Sequence, residues 1–256
     1  MSDLILHHYD KSPFSEKIRP ILAFKKLSWK SVQTPMVMPK PDLTALTGGY
    51  RKAPVLQIGS SIYCDTKLIA RKLEEIAPDP TIFPKGLESS GEALSQWSDQ
   101  FLFSPVGVYA FANGGKHMSE GMSRKELLML AKDRQQFREG TQFAQEPMDV
   151  ALSDLAVYFS RLNEQLADGR DWLLEKPTVA DFSVWFATWF IYDNPGIKSF
   201  LDPYPHYVAW AAKMQARRRS ERRRPRTRPG RARGGDESPR SHAEARRWGA
   251  RRARRL

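Results

Sequence analysis

The chain of 256 residues holds one cysteine, Cys64, so no disulfide can close within it and a cysteine-cluster metal site is excluded. Such scarcity of thiols suits a reducing compartment. No apolar run approaches the ~20 residues that a membrane-spanning helix requires. The N-terminus lacks a basic stretch followed by an apolar one of secretory length. A soluble cytoplasmic protein is expected. Lysine is missing from one region only. Residues 1–216 carry 24 Lys and Arg against 25 Asp and Glu, whereas residues 217–256 carry 17 Arg, no Lys and 4 acidic residues. The net charge of +12 therefore belongs to the tail, and the body is near neutral.

That tail also contains no Ile, Val, Phe, Tyr or Met. It cannot bury a core, and disorder is expected of it on its own. Two readings stay open. An Arg-rich segment neutralises phosphates and so binds nucleic acid. Alternatively, an Arg/Gly/Pro/Ala bias that sets in abruptly after Ala216 is what GC-rich DNA yields in a shifted frame. The loss of lysine at the same point favours the second.

The body opens with the apolar run Leu4-Ile5-Leu6, a polar turn, and Ser12-Pro13 at the head of a helical pattern. Serine is a good N-cap, and proline fits the first helical position, where its missing N–H is no loss. Free backbone N–H groups and the positive end of the helix dipole converge there, which suits a thiolate, carboxylate or phosphate. The apolar positions Ile18, Ile21, Leu22 and Phe24 extend the helix, with Pro20 predicting a bend near Glu16–Lys17. A second strand is expected over 29–34. The prolines at 35, 39 and 41 and the pair Gly48-Gly49 leave room for a short helix around Leu43–Leu46. Residues 52–59 and 60–64 read as an antiparallel hairpin, and Asp65-Thr66 cap a helix that ends before Pro78. Three prolines in 78–84 make a linker. Helical periodicity then covers about 87–103, 124–138, 148–166, 178–191 and 207–215, with Gly114-Gly115 and Gly121 in a mobile connection. The expected architecture is α/β plus all-α: a small mixed-sheet domain over 1–77, a linker at 78–84 and a helical domain over 85–216.

This order resembles the glutathione transferase family, with its thioredoxin-like N-terminal domain, proline-rich linker and helical-bundle C-terminal domain. Ser12-Pro13-Phe14-Ser15 is similar to the active-site segment of the omega and zeta branches. Ala53-Pro54-Val55-Leu56 is similar to the family's segment with a cis proline. Asp65-Thr66 falls where the family has an acidic or amide residue followed by Ser or Thr, and Thr178-Val179-Ala180-Asp181 matches its capping box. The likeness spans about residues 3–215.

The resemblance implies glutathione as co-substrate, held by Ser12, Phe14, Ala53, Pro54, Asp65 and Thr66. A cis X-Pro bond would let Ala53 pair with the tripeptide backbone. Asp65 would take its ammonium, and Thr66 with the helix start its carboxylate. The Ser12 hydroxyl would donate to the thiol sulfur and favour the thiolate, and Tyr9 is the alternative donor. Serine at both 12 and 15 excludes dithiol redox chemistry. A homodimer that attacks a small apolar electrophile is implied, with Trp97, Tyr109 and Phe111 as possible pocket lining. The alternative is a non-catalytic interaction protein of the same fold, associated with nucleic acid if the tail is genuine. Cys64 reads as a small buried hydrophobe. His7-His8 read as exposed strand-end residues without a third metal ligand.

Overall fold

The computed structural model describes residues 3–138 and 146–219. Residues 220–256, most of the Arg-rich tail, lie outside the described residues, and the tail's two readings with them. The N-terminal half runs β1 (Leu4–His8), α1 (Pro13–Phe24), β2 (Lys30–Gln33), α2 (Pro41–Thr47), β3 (Val55–Ile58), β4 (Ser61–Cys64) and α3 (Thr66–Ile76). The helical part has α4 (Glu88–Trp97), α5 (Phe103–Asn113), α6 (Gly115–Met118), α7 (Arg124–Arg138), α8 (Met148–Gln165), α9 (Val179–Tyr192) and α10 (Pro205–Arg219). This is a thioredoxin-like sheet domain followed by a helical domain.

The sheet order is β2-β1-β3-β4, with β1 parallel to β2 and antiparallel to β3, and β4 closing a hairpin on β3. The parallel pair needs a crossover, and α1 supplies it. Register sets Leu6 opposite Leu56, and both are fully buried with Ile18, Ile21 and Leu22 of α1 and Ile69 and Leu73 of α3. α1 carries Pro20 without a break in the helix. The carbonyl of Glu16 thereby loses its helical donor.

α9 is the axis of the helical domain. Every residue from Val179 to Ile191 is buried, as expected of a helix apolar all round. Its start is fixed by a capping box: Asp181 accepts the Thr178 N–H at 2.9 Å and the Leu173 N–H at 2.7 Å. Burial pushes the Asp181 carboxyl up to about 6 against those hydrogen bonds. The Val179 N–H also donates to the carbonyl of Ile82 at 2.8 Å, which ties the chain entering the helical domain to the head of α9.

Two elements depart from sequence periodicity. The helix expected to stop near 103 passes through a π-helical segment, Ser98–Leu102, and continues as α5 to Asn113. The wide turn comes just before Pro105, which the first turn of α5 then accommodates. Periodicity fades at Gln215, yet α10 runs on to Arg219. Arg218 is buried, its Nε 2.8 Å from Oε1 of Glu16, and the Arg217 guanidinium stacks 4.2 Å from the Trp172 ring. The start of the Arg-rich stretch is part of the folded body.

Candidate functional site: Ser12, Ala53-Pro54 and Asp65

Ser12 caps α1. Its hydroxyl oxygen accepts the Ser15 N–H at 3.2 Å, its carbonyl accepts the Glu16 N–H at 3.1 Å, and its own N–H closes the 9–12 turn on the Tyr9 carbonyl at 3.1 Å. The hydroxyl proton remains for an outside acceptor, at the positive end of the helix. Ser12 is only 1 % exposed. The Phe14 ring turns into the interdomain core, with centroids 5.1 Å from Phe103 and 4.8 Å from Phe186. Only its backbone is left to a ligand.

The Ala53-Pro54 peptide is cis, immediately before β3. Asp65 has φ 77° and ψ 133°, caps α3 through the Lys67 N–H at 2.8 Å, and is exposed, whereas Thr66 is buried. A non-glycine residue at such a φ is held at a cost of about 1–3 kcal/mol, and strain of this kind gathers at ligand clamps. The two contributions at 65 are separable. Asp65→Gly relieves the strain and forfeits only a few tenths of the cap, so its thermal midpoint is expected to stay within a few degrees of wild type. Asp65→Ala keeps the strain and loses the cap, about 1 kcal/mol. It is expected to melt lower than Asp65→Gly by differential scanning calorimetry.

Sequence reasoning missed a cationic cluster beside Tyr9. Lys40 is 4 % exposed, donates to the Arg51 carbonyl at 3.2 Å, and lies 5.3 Å from the centroid of the Tyr9 ring. Burial, with help from Arg134 and Arg51 and against Asp133, brings its ammonium down to about 8. Asp133 and Arg134 come from α7. Asp133 accepts the Met38 N–H at 3.1 Å and an Arg51 guanidinium hydrogen bond. Arg134 reaches the Tyr9 hydroxyl at 3.4 Å and the Met36 carbonyl at 3.5 Å. The signal available was Lys40 before Pro41; nothing local pointed to partners some 95 residues away.

The other candidates have neighbours of their own. Tyr109 packs on Phe200 and Trp97 on Tyr158, within the helical domain; Phe111 lies against Phe190. A cavity of about 160 Å³ beside the 9–12 turn is lined by Asp10, Lys11, His117, Trp189, Phe190, Asp193, Asn194 and Arg218. Its wall is mixed rather than apolar. A larger cavity, about 340 Å³, lies between α3 and α4, away from Ser12. His8 is not exposed as expected: it is buried, with Nε2 2.8 Å from the Ser31 hydroxyl and Nδ1 3.3 Å from Arg19. His7 bonds Gln57 at 2.9 Å. Among the described residues no group of three His, Cys, Asp or Glu could hold a metal. Cys64 is half-buried, and burial pushes its thiol up.

The model of the glutathione S-transferase N-terminal domain matches residues 6–81, and that of a domain of unknown function matches 124–222. A solved GST-like protein from Pseudomonas syringae is 38% identical, with 85% of this chain and 68% of that one covered and a TM-score of 0.64. The chain belongs to the glutathione S-transferase-like family. FtsZ-localized protein A of Caulobacter vibrioides is 25% identical to this GST-like chain over 184 residues, 70% of it and 72% of the relative. A glutathione S-transferase-I bound with lactoylglutathione shares the fold at 13% identity, with 85% of this chain and 99% of that one covered and a TM-score of 0.62. The second matched domain takes in α7 to α10 of the GST-like chain, including the residues that meet Lys40 and Arg51. No helix of the described residues is long and apolar enough to cross a membrane.

Proposed function

We propose that this chain binds glutathione along the groove from Asp65 to Lys40 and activates its thiol for attack on a small electrophile. The observation that supports the reading is the Ser12 hydroxyl capping α1, and it is joined by a cis Ala53-Pro54 bond, an exposed Asp65 at positive φ and a desolvated ammonium at Lys40. The γ-glutamyl ammonium pairs with Asp65 and its carboxylate with Thr66 and the first turn of α3. The tripeptide backbone runs along Ala53, and the glycyl carboxylate takes Lys40. The thiolate forms at Ser12 in an omega- or zeta-like manner, with Tyr9 as the alternative donor. Residues 1–77 serve as the glutathione-binding unit, 78–84 as the linker and 85–216 as the helical domain, in a cytoplasmic homodimer. Exposed Leu68 on α3 and Phe101 in the π-helical segment support a self-association surface. The mixed wall beside the 9–12 turn favours a partly polar electrophile.

Titration calorimetry with glutathione and with S-methylglutathione tests this. S-methylglutathione has no thiol to ionise, so its pH dependence reports on the carboxylate end. With Lys40 charged below about 8 in the free protein, its affinity is expected to hold between pH 6.5 and 7.5. It should fall roughly tenfold per unit on going well above 8, as the ammonium is lost. Lys40→Met flattens that profile. An absence of binding at every pH removes the reading.

A second reading is favoured by the likeness to FtsZ-localized protein A. In it the fold is kept as an interaction scaffold without turnover. Retained glutathione binding with no conjugation of any electrophile would select this reading.

A further inference from the structure

The cationic end of the groove is already filled by a carboxylate. Asp133 is 5 % exposed and sits between the Met38 N–H and the Arg51 guanidinium, with Lys40 and Arg134 in electrostatic reach. A backbone N–H, a guanidinium and a nearby ammonium are the donor set that a free carboxylate would seek.

The helix that brings Asp133 there is loosely held. No helix or strand of the described residues packs broadly against α7. Its positions 124–129, 131, 132, 135 and 136 are exposed. It reaches the sheet domain through Asp133 and Arg134. The tie itself is imperfect, because the buried Oδ2 of Asp133 has no hydrogen-bond partner, Nη1 of Arg134 standing 3.8 Å away. A buried acceptor without a hydrogen bond costs about 1–3 kcal/mol. Releasing α7 would hydrate that oxygen and expose little apolar surface, so such an element belongs at the low-stability end of the molecule.

We propose that Asp133 is a resident occupant of a carboxylate subsite formed by Met38 N–H, Arg51 and Lys40, and that a carboxylate ligand gains the subsite by displacing α7. The proposal rests on the glutathione reading for the identity of the ligand. Displacement also withdraws Arg134 from the Tyr9 hydroxyl and the Met36 carbonyl, so capture of the carboxylate is coupled to the contacts of the 9–12 turn that carries Ser12. A ligand whose terminal carboxylate is blocked can line the rest of the groove but cannot compete with Asp133.

Amide hydrogen exchange over residues 124–138 of the full chain, with and without glutathione, tests this without any mutation. Glutathione is expected to raise exchange in α7 severalfold, whereas glutathione monoethyl ester, its glycyl carboxylate capped, leaves α7 unchanged. In calorimetry, Asp133→Asn should bind glutathione about tenfold more tightly than wild type, because the competing charge is gone, and should bind the ester no better. Protection of α7 by glutathione, or equal affinities of Asp133→Asn and wild type for it, would overturn the proposal while leaving the glutathione reading in place. Failure of both proteins to bind glutathione would remove that reading and this one together. Should Asp133→Asn fold poorly, the exchange measurement on the wild type decides alone.

Discussion

Replacing Glu16 with alanine is expected to lower the unfolding free energy by about 3–5 kcal/mol. Glu16 is fully buried in α1. It accepts the Trp185 indole N–H at 3.2 Å, meets Nε of Arg218 at 2.8 Å, and takes a second guanidinium hydrogen bond from Arg19. Three elements, α1, α9 and α10, therefore converge on one carboxylate. Removing it takes the buried carboxylate away from two buried guanidinium groups, Arg19 keeping only the more distant Asp10 at 3.8 Å, and that penalty exceeds the worth of the pair itself. For a body of this size the thermal midpoint should fall by about 10 °C. Glu16→Gln, which keeps an acceptor for Trp185, should lose less. Arg218→Met leaves Glu16 paired with Arg19 and should be milder still, about 1–3 kcal/mol. Urea unfolding of the three variants orders them. A loss below about 1 kcal/mol for Glu16→Ala would mean that water reaches this carboxylate in solution.

Ser12→Gly should slow conjugation by about 10- to 25-fold at pH 7 with little loss of stability. An ordinary thiol, near pKa 8.5, is only a few per cent ionised at that pH. A hydroxyl donating to sulfur at the positive end of α1 is asked to depress it by about two units, or roughly 2.7 kcal/mol. One hydrogen bond to an anion and a dipole contribution together have that size. Glycine is the informative substitution, since replacing a capping serine by glycine costs only a few tenths of a kcal/mol while alanine costs about 1. Chemistry and folding are thereby separated. The profile of kcat/KM against pH, measured with a chromogenic aryl halide, should show its rise displaced by about one to two units to higher pH in Ser12→Gly, the dipole contribution being kept. Tyr9→Phe should leave that rise where it is. The reverse pattern would transfer the role to Tyr9.

The parts of this molecule that were legible in its sequence are those governed by neighbours along the chain. Alternation in 55–64, the capping box at Thr178–Asp181 and the 3.6-residue period of α8 and α9 each follow from contacts within a few residues. The cap at Ser12 did too. What was not legible came from distance. The segment 35–52 showed only prolines and glycines, and Lys40 gains its meaning from Arg51, Tyr9 and a helix beginning at Arg124. His8 sits at a strand end, where exposure is the ordinary outcome, and is buried because Arg19 and Ser31 supply partners. Arg217 and Arg218 share the composition of the tail but occupy the last turns of α10. There an ion pair and an aromatic face give them places that composition cannot reveal.

The seam between the sheet domain and the helices is pinned by unlike means at well-separated points. Lys17, itself pushed down by burial, reaches Asp99 at 2.9 Å; Glu16 holds Arg218; Val179 holds Ile82; and Phe14 is wedged among Phe103 and Phe186. Swinging one half against the other would sever all of these together, several of them buried charges. Any yielding of the fold is left to its margin, where α7 meets the 34–40 strip through Asp133 and Arg134.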